Sequence, residues 1–223
     1  HAVWQFINMF ISLWDYSTGE NTDIATLYDK NESEETATIK KELGVVIPFT
    51  ETPIQESIGE NMYINMIRRA NRYIYITSPY LIITWEMEKA LISAAKSGVD
   101  VRIITPHIPD KKYVHLLTRS FYKNLVETGV KIYEFEKGFI HAKNCICDDE
   151  FVVIGSINLD YRSLYLHFEC AVWTYGAPII TDVKEDFENT LKQSLKITPE
   201  WVKSRNLITR ILQSLLRLFA PLM

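Results

Sequence analysis

From residue 44 onward, short β-branched and aromatic runs alternate with helical patterns, and this alternation constrains the fold more than any other feature of the chain. Residues 44–50 read as an apolar strand, and Pro53 sits at the tolerated first turn of a helix extending to Asn71. Residues 73–77 read as a strand. Thr84 has the hydroxyl to cap a helix that Gly98 stops, and a strand over 99–105 follows. A helix over 111–128 ends at Gly129, before a strand over 130–135. Residues 141–147 and 151–154 read as paired strands joined by 148–150, and 168–175 is another strand. Helices over 178–196 and 204–219 close the chain. Such alternation predicts an α/β fold: a mixed β-sheet flanked by helices on both faces.

Upstream, Val3, Phe6, Ile7, Phe10, Leu13 and Trp14 recur at helical spacing and predict a buried helix. Residues 15–42 are polar and mostly acidic, densest at Glu32, Glu34 and Glu35, and read as a linker. The chain opens inside a helical pattern, which gives the expectation of a fragment. At 223 residues it is long enough to bury a core of its own. No run of about 18 apolar residues is present, so no membrane-spanning helix is expected. With 24 basic against 28 acidic side chains, a net charge of −4 and a pI near 5.8, the chain lacks the global basicity of nucleic-acid binders, which argues against a nucleic-acid partner.

The three cysteines do not suggest a disulfide framework. Cys145 and Cys147 lie two apart on a strand, roughly 6.5–7 Å between Cα atoms, at the limit of bridging. No partner ligands at metal-binding spacing accompany them. They are expected to be reduced, buried small hydrophobes, and no metal or other cofactor is expected.

The chemistry is concentrated in HAKNCICDDEFVVIGSINLDYRSLYLHFE, residues 141–169. Strand alternation places His141 and Lys143 on one face, where an imidazole and an ammonium address one phosphate together. Gly155 and Ser156 turn the chain, and Ser156 and Asn158 offer a hydroxyl and an amide to non-bridging oxygens. Glu169 is placed in sequence to hold the other imidazole nitrogen. An imidazole that attacks phosphorus forms a phosphohistidine and divides one displacement into two.

This spacing, His141-x-Lys143, then Asp148, then Gly155-Ser156-x-Asn158, is the signature of the phospholipase D superfamily, and the match is complete. Six specified residues at roughly 5% usage coincide by chance about once in 10⁸ starting positions. The resemblance implies that His141 is nucleophile or general acid and that Lys143, Ser156 and Asn158 bind phosphate. It also implies that Glu169 orients the histidine, and it includes Asp148 in the catalytic set, with a less direct and potentially structural part. Asn158-x-Asp160-x-Arg162-Ser163, Phe168-Glu169, Gly138-Phe139-Ile140, the passage from Tyr73 to Pro79-Tyr80 and the ending at 217–223 resemble the second half of bacterial cardiolipin synthases. Residues 2–14 resemble the helix after their first motif. His167 departs from the family's usual Asn and puts one polar contact near the site in doubt.

The resemblance therefore implies a tail helix of a preceding half plus acidic linker over 1–43, and a phospholipase D-type domain over 44–223. Its implied activity is phosphatidyl transfer between two phosphatidylglycerols, with phosphodiester hydrolysis by a dimer of single-motif units as the alternative and a non-catalytic binding module as a third reading. The motif does not separate transferase from hydrolase. The implied partners are a phospholipid at the surface of a bacterial membrane, on its cytoplasmic face, and either a missing N-terminal half with a second motif or a homodimer mate.

Outside the motif, simpler readings prevail. His1, His107, His115 and His167 read as surface or satisfied core residues, and Asp160 as a turn or cap residue. Tyr80 and Arg162 are equally compatible with the site and with structural pairing. Leu207, Ile208, Ile211, Leu212, Leu215, Leu218 and Phe219 share one face of the last helix, opposite Arg205, Arg210, Gln213 and Arg217. Packing of that stripe on protein is favoured over contact with an anionic membrane.

Overall fold

The computed structural model describes residues 2–27, 44–51 and 56–222. Its strands are β1 (Val45–Glu51), β2 (Tyr73–Thr77), β3 (Leu81–Ile82), β4 (Asp100–Pro106), β5 (Lys131–Phe135), β6 (Asn144–Cys147), β7 (Phe151–Gly155), β8 (Leu159–Asp160), β9 (Glu169–Tyr175) and β10 (Ser194–Ile197). The helices are α1 (Ala2–Thr18), α2 (Ile58–Arg69), α3 (Trp85–Lys96), α4 (Lys112–Glu127), α5 (Ile179–Leu191), α6 (Pro199–Lys203) and α7 (Leu207–Leu218). Eight strands form one sheet in the order β1-β9-β7-β6-β2-β4-β5-β10, while β3 and β8 pair separately. Only β2, β4 and β5 run parallel within the large sheet, so it is mixed, as expected.

Period-two alternation sorts side chains onto the two faces. Ile74, Ile76, Cys145, Cys147 and Val153 join the larger core with α2, α3 and α4. Tyr73, Tyr75, Ile146 and Val152 point the other way, onto Ile180 and Phe187 of α5, where the Tyr75 and Phe187 rings stack at 4.8 Å. Helices therefore cover both faces. Cys145 and Cys147 are free and buried, and burial pushes the Cys147 thiol up to about 12. Thr84 caps α3, accepting from the Met87 amide at 3.2 Å, and Gly98 and Gly129 take positive φ just beyond α3 and α4.

Four expectations need correction. The predicted strand over 141–147 begins only at Asn144, so His141 and Lys143 lie on the approach to β6. The predicted helix over 178–196 ends at Leu191. Residues 194–197 instead pair antiparallel with β5 as an edge strand, with Ile197 buried and Leu195 exposed. α1 forms, but Val3, Phe10, Trp14 and Tyr16 are exposed, so it is not the buried helix that its spacing suggested. It lies against β1 and brings Tyr16 within 6.3 Å of the Phe168 ring. The helix around 58–69 starts at Ile58; Pro53, like most of the acidic stretch, lies outside the described residues.

Within this chain α7 packs with its polar side inward. Gln213 is buried and donates to the Leu116 carbonyl at 3.2 Å, and the Arg217 guanidinium lies 4.2 Å from the Phe121 ring centroid. The apolar stripe faces solvent.

Candidate active site

Register carries the ends of the motif to one end of the sheet. Thr77 pairs with Asn144, Asn144 with Ile154, Gly155 with Ala171, and Glu169 with Glu51. This is the carboxyl end of the parallel strand β2, where open α/β sheets commonly bind ligands. A cavity of about 520 Å³ opens there, lined by His141, Lys143, Asn144, Ser156, Asn158 and Glu169 among others. The structure thus brings together His141, Lys143, Ser156, Asn158 and Glu169. It leaves Asp148 elsewhere.

His141 is exposed and Lys143 is 9% exposed, with its ammonium donating to the His141 carbonyl at 2.6 Å. Desolvation and then the Lys143 charge hold the His141 imidazole below its ordinary pKa, while Asp110 opposes the shift. Burial and the Lys143 charge thus favour the neutral imidazole. Burial also lowers Lys143, against the carboxylates of Glu169 and Asp160, which favour the ammonium. The Phe139 ring lies 5.4 Å from His141.

Gly155 is required by closeness of the neighbouring strand. A Cβ there would stand 2.3 Å from the Cys170 carbonyl oxygen and 2.5 Å from Ala171 Cα. That approach lets the Ser156 amide donate to the Cys170 carbonyl at 2.8 Å; on the β6 side the Gly155 amide donates to the Lys143 carbonyl at 3.2 Å. The Ser156 hydroxyl donates to Glu169 and accepts from the Cys170 amide. Asn158 donates from Nδ2 to Ser163 Oγ at 2.9 Å, and Ser163 Oγ donates to Glu169 Oε1 at 3.1 Å. Asn158 Oδ1 and Asn144 Oδ1 are buried with no hydrogen-bond partner among the described residues.

Within this chain Glu169 organises the turn. Its carboxylate holds the Ser156 and Ser163 hydroxyls, and the imidazole nearest to it is that of His167, with Nδ1 at 3.7 Å from Oε1. Among the described residues Glu169 makes no hydrogen bond to His141. His167 reaches the site's carboxylate and also accepts from Arg162 Nε at 2.7 Å, so Arg162 acts as a structural partner. Asp160 accepts from the Ser163 amide at 2.7 Å, in keeping with its reading as a turn residue. Tyr80 donates to Asp110 at 2.5 Å. His107 pairs with Glu134 at 2.8 Å and His115 with the Pro106 carbonyl at 3.1 Å, as satisfied residues.

Asp148 lies at the opposite end of β6, five residues and about 16 Å of extended chain from Lys143. It is 5% exposed with φ 56°, and its carboxylate accepts the amides of Asn71 at 2.7 Å, Arg72 at 2.9 Å and Tyr73 at 2.7 Å. It fastens the α2–β2 connection to the β6–β7 turn, outside the cavity, so its place in the catalytic set is corrected to a structural one. Asp148→Ala is expected to lower the unfolding free energy by about 3 kcal/mol, since three amides lose a charged acceptor and alanine resists this φ. Urea unfolding checks this, and a midpoint equal to wild type would contradict it.

In the sequence Asn144 carries no signal beyond proximity to signature residues, and Ser163 only a place in the family resemblance without a role. Sequence reading also missed Glu51, fully buried in register with Glu169 and bonded to the Gly59 amide at 2.5 Å. Among the described residues no cluster of three or more His, Cys, Asp or Glu side chains is placed to hold a metal, and no helix is long and apolar enough to cross a membrane.

Residues 63–191 match the family model for the cardiolipin synthase, phospholipase D-like domain. The chain belongs to that family. An uncharacterized protein of Streptococcus mutans is 44% identical over the whole chain, which spans 47% of that relative. A cardiolipin synthase of Halalkalibacterium halodurans is 35% identical over 96% of the chain and 42% of its own length. The chain thus spans about half the length of these curated relatives.

Solved structures agree on the fold. Nuc from Salmonella typhimurium, a phospholipase D family member, superposes with TM-score 0.60 at 20% identity, covering 69% of this chain and 98% of Nuc. Phosphatidylserine synthase from Haemophilus influenzae gives 0.62 at 16% identity, covering 79% of this chain and 45% of its own. The phospholipase D-like mixed sheet expected from the motif is the fold observed.

Proposed function

We propose that this chain supplies one half of a phosphatidyltransferase site that makes cardiolipin and glycerol from two phosphatidylglycerols. The observation that carries the reading is the convergence of His141, Lys143, Ser156 and Asn158 on one open cavity, in a chain of the cardiolipin synthase family. A neutral His141 attacks the phosphorus of the first lipid. The P–O bond to glycerol breaks, and the departing alkoxide takes a proton from a general acid. The glycerol hydroxyl of the second phosphatidylglycerol then gives up its proton and attacks the phosphohistidine, and the imidazole leaves with its electron pair. Lys143 and the amide of Asn158 offset charge on the equatorial oxygens. If His141 is instead the general acid, the same contacts serve the reverse proton transfer.

The second histidine comes, in this reading, from an N-terminal half or from a mate related by a two-fold axis, and the lipid is met at the membrane surface. Among the described residues of this chain, His107 and His115 are engaged away from the cavity, and His167 accepts from Arg162 beside Glu169. The domain reading, with residues 1–43 as tail helix and linker and 44–223 as the catalytic unit, belongs to the same proposal. Hydrolysis is the alternative and differs only in the acceptor.

Mass in solution measured beside product analysis tests this. The assembled enzyme given phosphatidylglycerol vesicles is expected to release cardiolipin with one glycerol per turnover, and to keep its activity in EDTA, because the cavity offers imidazole, ammonium, amide and hydroxyl groups around one carboxylate already holding two hydroxyls. The monomeric chain alone is expected to be folded and nearly inactive. Phosphatidic acid as the sole product replaces transfer by hydrolysis. Full synthase activity in a strict monomer refutes the two-histidine reading.

A further inference from the structure

Helix α7 is turned inside out relative to an ordinary surface helix. Leu207, Ile208 and Leu218 are 70%, 78% and 74% exposed, and Ile211, Leu215 and Phe219 beside them are also exposed. At about 100° per residue these six fall within one arc of the helix. The opposite arc is already committed: Gln213 to the Leu116 carbonyl, Leu216 to the core, and Arg217 to Glu88 at 3.3 Å. The helix is held by its polar side, so it cannot roll to bury its leucines without breaking those bonds. A contiguous apolar surface of this kind marks a docking face.

Charge selects the occupant. Lys203, Arg205, Arg210 and Arg217 outnumber the carboxylate Glu200 over residues 199–222, in a chain whose net charge is −4. On the helical wheel Arg210 and Ser214 sit on the shoulder between buried Gln213 and the exposed leucines. There they border a groove of about 390 Å³ that also takes in Lys123, Asn124 and Arg205, with Glu127 as its one carboxylate among the described residues. Arg205 stacks on Trp201 at 4.8 Å, and its Nε is buried with no hydrogen-bond partner among the described residues. Cations at the shoulder of an apolar arc are the arrangement that lies in the headgroup plane of an anionic bilayer, with leucines among acyl chains and guanidinium groups at phosphates.

We infer that α7 is an in-plane docking surface for an anionic lipid bilayer, with headgroup phosphates held in the groove of Arg205, Arg210 and Lys123. The inference goes beyond phosphatidyl transfer, and its test uses a lipid other than the proposed substrate and reads no turnover. The 223-residue chain is mixed with vesicles of equimolar phosphatidylserine and phosphatidylcholine, or of phosphatidylcholine alone, and bound protein is measured by flotation. Binding is expected to be at least tenfold tighter on the anionic vesicles and to weaken in high salt.

Ile208→Gln with Leu215→Gln is expected to lower binding to anionic vesicles at least tenfold. Arg205→Gln with Arg210→Gln is expected to lower it to the level of neutral vesicles. Both positions of the first pair are exposed, so its melting temperature should match wild type; if it does not, Leu207→Gln with Leu218→Gln gives the same reading. Equal binding to both vesicles, no binding, or wild-type binding by the stripe variants overturns the inference. Self-association in the absence of lipid that the stripe variants abolish makes a second copy the occupant and also overturns it.

Discussion

Replacing His141 with alanine is expected to lower phosphatidyl transfer by the assembled enzyme by about 10⁴-fold or more, because the group that bonds to phosphorus, or protonates the leaving oxygen, is then absent. The fold should be untouched, since the side chain is exposed and lies on the extended approach to β6. Unchanged ellipticity and thermal midpoint beside the lost turnover would separate chemistry from stability. The pH profile adds a second reading. As nucleophile, His141 reacts as the free base, and burial and the Lys143 charge lower its pKa. Activity should therefore hold through neutrality and fall only below about pH 6.5, the ordinary imidazole value. Transfer within tenfold of wild type in His141→Ala removes the residue from the reaction.

Lys143→Ala is expected to cost about 10²–10³ in kcat, comparable to the loss of an oxyanion-hole donor. The ammonium is nearly buried, so its field at a phosphate in the cavity is weakly screened by water, and the charge it faces grows as the displacement proceeds. It also donates to the His141 carbonyl, so its loss loosens the backbone that carries His141. The first effect appears in kcat and the second in the spread of His141 conformations. Steady-state kinetics with phosphatidylglycerol would place the loss, and a decrease under tenfold would remove Lys143 from the site.

Much of the fold was legible because local rules govern it. The β2 strand, the Thr84 cap and the stops at Gly98 and Gly129 follow from hydrogen bonds and backbone angles that a few neighbouring residues decide. The motif was legible because its residues keep the family's spacing across two paired strands and the turn between them. The sheet's class was legible too, since strands and helices in alternation pack in few ways.

What the sequence determined by itself, then, was the chemistry available to the chain and the kind of sheet that carries it. Tertiary structure alone decided where each polar group spends its hydrogen bonds. Asp148 is as fully part of the signature as Lys143, yet register sends it to the far end of β6, where three backbone amides claim it. Glu169 stands in the cavity, but the Ser156 and Ser163 hydroxyls hold it. Residues 194–197 pair as a strand because β5 has a free edge beside them, a non-local circumstance that no window of sequence contains. The orientation of α7 has the same cause. Its amphipathic arc was plain in the sequence, but which arc faces inward depends on whether the surface beneath offers apolar side chains or carbonyls and carboxylates. Here that surface offers the Leu116 carbonyl and Glu88, so the polar arc is the one that is buried.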